Sequence, residues 1–242
     1  MQTSLSKSLS RLLKLRQGVT KYGPAPHKPV LLLSLLDMLD QGLVKENRFP
    51  VLPELVAAFR DNWLLLVETQ NKVDFQLPFF HLSGDKIWRL VGIDGKEITF
   101  YISGFRQFQE RVAYGAFEEA LFLLLSDAPN REKVRHALLD RYFPKTKARF
   151  LAGKNGKGYF QDVESTLLEE GPQSYQTLLA GADEETEFIR SGVFKKVVPR
   201  IYDFTCAITR MRVDSLNNIS LIDACHIIPF TLSGDDTIRN GI

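Results

Sequence analysis

The sequence predicts an α+β chain in two folded parts: a mainly helical N-terminal domain with a small β-hairpin or sheet, and, after a linker, a smaller C-terminal unit. Three observations carry that prediction. Residues 27–41, 53–67 and 106–142 hold apolar residues at helical spacing over lengths that suit helices better than strands. Residues 79–90 place apolar runs on either side of Ser83-Gly84-Asp85, which reads as a hairpin around a Gly-containing turn. Residues 145–187 lose this patterning: Lys154-Asn155-Gly156-Lys157-Gly158, Gly171-Pro172 and Gly181 read as a connector with room for one helix. The boundaries are drawn at 1–144, 145–187 and 188–242.

Each element has a local reason. Leu5, Leu9, Leu12, Leu13 and Leu15 alternate with Lys and Arg, so residues 4–17 are expected to be helical, with Gly18 as C-cap. The rigid turn Tyr22-Gly23-Pro24-Ala25-Pro26 leads into a helix from His27 to Gln41. Pro29 is tolerated in its first turn because no N–H is needed there. That helix is apolar on most faces and should be buried. Arg48–Val51 and Ile98–Ile102 are expected as short strands. Residues 106–142 are expected to be helical, broken at Asp127-Ala128-Pro129-Asn130, and Phe143-Pro144 closes the domain.

Composition sets the class. The chain has 242 residues, 44% hydrophobic and 25% charged, with a net charge of +2, which fits a soluble protein with real cores. No signal peptide is seen, and apolar runs such as Val30–Leu36 fall far short of a membrane span. A cytoplasmic location is therefore expected. Two cysteines without a CxxC word make neither a disulfide framework nor a four-ligand zinc set. Cys206 and Cys225 read as small buried residues. Charge is uneven. Residues 1–36 carry Lys7, Arg11, Lys14, Arg16, Lys21 and Lys28 with no acid. Residues 144–158 and 188–200 add further cations, which could meet phosphates or simply be solvated surface.

The C-terminal words carry chemistry. Taken alone, the apolar run Leu221–Pro229 with His226 reads as one hairpin arm holding a half-buried histidine. "DACHIIP", with "CAIT" upstream and "NGI" downstream, resembles the HNH nucleases, whose ββα unit grips one divalent metal. The resemblance covers residues 200–242. It implies His226 as the general base that activates water, Asn240 as its support, and Asp223 as an oxygen ligand for Mg²⁺ or Mn²⁺. Asp223 takes that role because Cys225 stands where relatives place a His or Asp, and hard cations prefer carboxylate to thiol. The family's last His lies on a helix after "NG". The sequence ends at Ile242, so a ββα-metal domain truncated at its C-terminus is expected.

A second resemblance lies upstream. "YGPAPHKPVLLLSLLDMLDQG", then "LPFFHLSGDKIWRL", then "RVAYGAFEEALFLLL…ALLDRYFP" is similar to the sulfur-binding domains that precede HNH nucleases and read phosphorothioate DNA. The resemblance spans residues 20–144. It implies a pocket from His27, Lys28, Leu77 and Pro78, with His81 following in the same hairpin. Leu77 stands where relatives often have Tyr, which keeps an apolar wall and removes a hydroxyl. Sulfur is larger and less hydrated than oxygen, so a Pro ring can accept it at lower desolvation cost. Lys28 or protonated His27 would meet the remaining charge. Each residue also has a plainer reading: Pro29 as a helix start, Pro78 as strand entry, His81 as packing. Arg89 and Arg106 could reach guanine edges or be ordinary surface residues. Together these words imply a modification-dependent endonuclease of a bacterial restriction system acting on double-stranded phosphorothioate DNA, with no membrane role and homodimerisation open. A non-catalytic reader, or a nuclease whose first domain reads another feature, are the alternatives.

Overall fold

The structure is a computed structural model and describes residues 9–154, 164, 183–212, 222–235 and 237–242. Two compact units emerge, Met1–Gly156 and Lys157–Ile242. No described helix is long and apolar enough to cross a membrane.

The first unit begins with a helical stretch that ends near Leu12, earlier than predicted. Gly18 is not its cap; it precedes β1 (Val19–Thr20), which pairs with β2 (Gly23–Pro24). Helix α1 (His27–Asp40) then runs through the centre, buried from Pro29 to Met38. It is apolar all round because α2 (Pro53–Leu66), α3 (Gln76–His81) and a later helix all pack on it.

The segment Phe79–Leu82 is not a strand. It lies in α3 and the 3₁₀ turn Leu82–Asp85 that follows. The Asp74 carboxylate accepts the Leu77 N–H at 2.9 Å and so ties down the helix start. Pro78 sits in the first turn, where its missing N–H costs nothing. Phe75 and Phe79, one turn apart, both point inward and are fully buried. The true sheet pairs β3 (Trp88–Gly92) with a strand that the chain reaches only after α4 (Phe105–Arg111).

Strand β4 (Val112–Phe117) interrupts the stretch predicted to be helical, pairing antiparallel with β3 from Trp88↔Phe117 onward. Gly115 makes this possible: a Cβ there would stand 1.9 Å from the Trp88 ring. The strands expected at Arg48–Val51 and Ile98–Ile102 reduce to isolated contacts, a bridge from Phe49 to Gly115 and one from Val91 to Glu97. Each keeps only a local edge contact: Phe49 and Gly115 exchange backbone hydrogen bonds at 2.8 and 2.9 Å, and Ile98 N–H donates to the Leu90 carbonyl at 3.0 Å.

Helices α5 (Glu119–Ser126) and α6 (Ala128–Tyr142) follow, separated at Asp127, whose carboxylate caps Asn130 N–H. Helix α6 is tied to α1 by Arg135, which donates to buried Asp37 at 2.8 Å. The unit does not close at Pro144. Helix α7 (Lys147–Gly153) packs on α2, with Phe150 fully buried. Residues 145–154, read as connector, thus supply core. The rest of the predicted linker lies mostly outside the described residues.

The second unit is built on α8 (Glu184–Ile201), capped by Asp183, which accepts Thr186 N–H at 2.8 Å. It buries Ile189, Val193, Phe194, Val197 and Val198. A tight turn over 202–212 holds Asp203, Phe204 and Arg210 at positive φ. Cys225 and Ile242 exchange backbone hydrogen bonds at 2.9 Å, and His226 bridges Gly241. The predicted strand around His226 is therefore only this short pairing, with Leu221 outside the described residues. Helix α9 (Phe230–Ser233) and a 3₁₀ turn at Ile238–Asn240 complete the unit. Cys225 is exposed and Cys206 half-buried, so neither is the buried residue predicted.

Candidate functional site

The first turn of α1 carries no acidic residue and no side-chain cap, so no acid in that turn offsets its amide dipoles. His27 stands there against the Trp63 ring, centroids 4.6 Å apart. Its Nε2–H donates to the Lys72 carbonyl at 2.9 Å, which fixes the tautomer. Burial pushes the His27 pKa below its ordinary value, opposed by the Lys72 carbonyl and the Asp74 charge. Burial thus works against the protonated form of His27 that was one of the two cations expected beside the linkage.

Lys28 donates to Asp85 at 2.6 Å, with the two side chains only 12% and 5% exposed. The other Asp85 oxygen accepts Arg16 N–H at 2.8 Å. The positive charge predicted to meet a phosphate is thus already matched within the protein.

Helix α3 supplies the facing wall. Pro78 is buried and Leu77 half-buried, while His81 lies one turn on and is exposed. The His81 ring lies parallel to Tyr101 with centroids 5.8 Å apart, and Phe80 meets both edge-on. The Gln76 amide donates to the Ile102 carbonyl and so pins Tyr101 beside α3. Burial lowers the His81 pKa, the Lys28 charge lowers it further, and Asp74 opposes both. Burial and Asp74 raise the Tyr101 pKa, so the phenol keeps its proton.

Helix α1 packs on α3, which sets His81 within reach of the Lys28 charge, and the Asp74 charge acts on both His27 and His81. Asp74, Asp85 and Tyr101 were not anticipated from the sequence. Their signals were weak: an Asp two residues before Gln76, an Asp in a Gly turn, and one aromatic within Ile98–Ile102, a segment expected as a strand. Arg89 belongs to other surroundings, a hollow of about 470 Å³ that it lines with Glu97, Glu118 and Glu119. Arg106 is exposed in the first turn of α4. Several predicted phosphate-facing cations are engaged internally. Lys147 pairs with Asp140, Lys154 with Asp37 and Arg11 with Glu118, while Arg149 donates to Leu65 O.

In the second unit, His226 stacks on Phe194 with centroids 4.2 Å apart and planes at 8°, and Phe230 lies 5.8 Å away. Asn240 is 5% exposed. Its oxygen accepts Ile228 N–H at 2.7 Å, and its amide donates to the carbonyls of Ile228 and Asp235 at 2.8 Å. It clamps the segment that follows His226. Asp223 is exposed and lines a 150 Å³ cavity with Cys206 and Cys225. Among the described residues no group of three or more His, Cys, Asp or Glu is placed to hold a metal ion. Among the described residues, the donors that line this cavity with Asp223 are Cys206 and Cys225, which are soft ligands rather than the oxygen donors a hard cation prefers.

Residues 5–156 match the ScoMcrA-like DNA sulfur-binding domain, and the chain belongs to that family. Among solved structures it is similar to the sulfur-binding domain of SprMcrA complexed with phosphorothioated DNA, at 20% identity and a TM-score of 0.46. That match covers 63% of this chain and 96% of the other. It is also similar to the sulfur-binding domain of ScoMcrA in such a complex, at 20% identity and a TM-score of 0.41, covering 59% and 93%. A ScoMcrA structure that adds an SRA domain matches at 19% identity and a TM-score of 0.42, over 59% of this chain and 45% of that one. No curated protein matches the chain.

Proposed function

We propose that the first unit recognises a phosphorothioate linkage in duplex DNA. The observation that carries this is the pairing of a buried Pro78 wall with a first helical turn whose charged and titratable groups are already balanced. An unmodified phosphate keeps two strongly hydrated oxygens, and pressing one against a proline ring forfeits that hydration. Sulfur loses less. A site with an unpaired cation would hold either linkage, whereas one with Lys28 matched by Asp85 leaves more of the choice to the apolar wall. Binding of otherwise identical duplexes with and without one sulfur, at the same salt, tests this. At least about tenfold preference is expected, and equal affinity refutes it.

For the second unit we propose the HNH reading, in which His226 acts as general base on water and Asn240 positions it. The short Cys225–Ile227 and Asn240–Ile242 pairing and the Asn240 clamp support that role for Asn240. No step is assigned to a cation here. The reading of the chain as a reader without catalysis is supported by the Phe194 ring stacked against the His226 imidazole, which covers one of its faces. Nicking of modified DNA by the purified chain, with Mg²⁺ or Mn²⁺ supplied, separates the two.

A further inference from the structure

We propose that Cys206 and Cys225 are a redox modification site, closed to a disulfide by a peroxide and reopened by a small thiol. The two cysteines line one 150 Å³ cavity of the second unit, whose other walls include Val198, Tyr202 and Ile242. They come from separate stretches of chain, and hydrogen bonds tie those stretches to one frame. Cys225 exchanges backbone hydrogen bonds with Ile242 at 2.9 Å in each direction. The Tyr202 hydroxyl donates to the carbonyl of Gly241, the residue before Ile242, at 3.2 Å. Tyr202 opens the turn that carries Cys206, so that turn and the Cys225 pairing are both anchored on Gly241–Ile242. Within the turn, Cys206 N–H donates to the Met211 carbonyl, and Arg210 N–H donates to the Cys206 carbonyl, both at 2.9 Å. Thr209 N–H donates to the Cys206 sulfur at 3.4 Å and orients it.

Exposure sets the order of events. Cys225 is exposed and Cys206 half-buried, so a soluble oxidant meets Cys225 first. With hydrogen peroxide, the Cys225 sulfur attacks one oxygen, the O–O bond breaks, and a sulfenic acid and one water result. The Cys206 sulfur then attacks the Cys225 sulfur. The S–S bond forms, the S–O bond breaks, and the oxygen leaves as a second water carrying the Cys206 proton. Each sulfur gives up one electron and the peroxide takes both. A sulfenic acid with no second thiol nearby goes on to irreversible sulfinic acid, and a thiol on the same cavity intercepts it. Cys225 immediately precedes His226, so the bond fastens the segment carrying His226 to the 202–212 turn.

The test uses the full chain, reduced, freed of reductant and given an equimolar amount of hydrogen peroxide. Both thiols should vanish from titration, the mass should fall by two hydrogens, and the chain should stay monomeric on a non-reducing gel. Peptide mapping should join Cys206 to Cys225, and dithiothreitol should restore both thiols. Cys206→Ser should instead gain oxygen at Cys225 and lose reversibility on further oxidation, whereas Cys225→Ser should keep most of its Cys206 thiol. Thermal melting of the reduced variants checks that they are folded, and the mass and peptide map of the oxidised wild type decide the matter without them. A wild type that keeps both thiols, gains oxygen without losing hydrogens, or links chain to chain instead overturns the proposal.

Discussion

The candidate residues of the two units rest on different kinds of support. In the first unit they sit on α1 and α3, whose other faces are buried among Phe75, Phe79, Leu31 and Leu33, all fully covered. In the second they sit on short pieces whose apolar neighbours face outward: Ile208 and Leu232 are each 80% exposed, and Ile227 and Ile228 more than half. There His226 stacks on Phe194 and bridges Gly241, and its flank is held by the hydrogen bonds of Asn240. A site on packed helices has its geometry set by burial. A site held by a few directional bonds depends on each of them. Single substitutions should therefore act differently in the two units.

The largest effect separates the units by function. On the nuclease reading, His226→Ala should lower cleavage by about 10²- to 10⁴-fold, the range for a lost general base. Sulfur-dependent binding should be retained, because the reader residues lie in the other unit. Loss of binding preference in this variant would break the comparison. Cleavage that persists undiminished would move the base elsewhere.

Next comes the ion pair. Lys28→Ala leaves the Asp85 carboxylate buried with one backbone donor. Removing one partner of a buried pair costs about 3–5 kcal/mol, and the 12% exposure of Lys28 places this pair toward the low end. Denaturant unfolding should show the loss. Replacing both partners, Lys28→Met with Asp85→Leu, should restore much of it. If Lys28→Ala is as stable as wild type, the pair contributes nothing to holding α1 against the Ser83-Gly84-Asp85 turn.

These cases show how much was legible beforehand. The buried α1 was plain, since Pro29–Leu36 is a run of eight residues without a charge. The pairing of "HKP" with "LPFFH" was legible as words, and packing of α1 on α3 brings them together. The hairpin at Phe79–Leu82 was misread because Phe75 and Phe79, one turn apart, look like strand residues when only Phe79–Leu82 is inspected. Strand β4 was missed because "VAYGAF" is short and flanked by helical patterns. Its identity comes from Trp88 lying over Gly115, a contact between residues far apart in sequence. Asp85 as partner of Lys28 had no local signal at all.

Pro78→Gly should have a smaller and narrower effect. It removes the apolar wall while Tyr101 and Lys28 remain, so the preference for sulfur should fall by about tenfold with little change for the unmodified duplex. A ratio that stays fixed in a folded variant would remove Pro78 from the site. That result would also erase the contrast between a wall that selects and cations that merely hold.

The smallest effect is a pH dependence, and its sign follows from the two histidines. Both His27 and His81 have pKa values lowered from 6.5, chiefly by burial. The folded protein then binds fewer protons than the unfolded chain in the window just below 6.5. Stability from these groups is complete above that value and is lost as pH falls through the lowered values. Binding should follow the same window. Once His81 is protonated, a cation stands beside the wall and attracts any phosphate, so affinity for the unmodified duplex rises and the sulfur preference narrows. Titrations of both duplexes between about pH 5 and 8 should show a flat preference at the upper end and a decline at the lower. His81→Gln should flatten most of that decline. A preference that narrows toward alkaline pH instead would mean that a group other than these histidines governs the site.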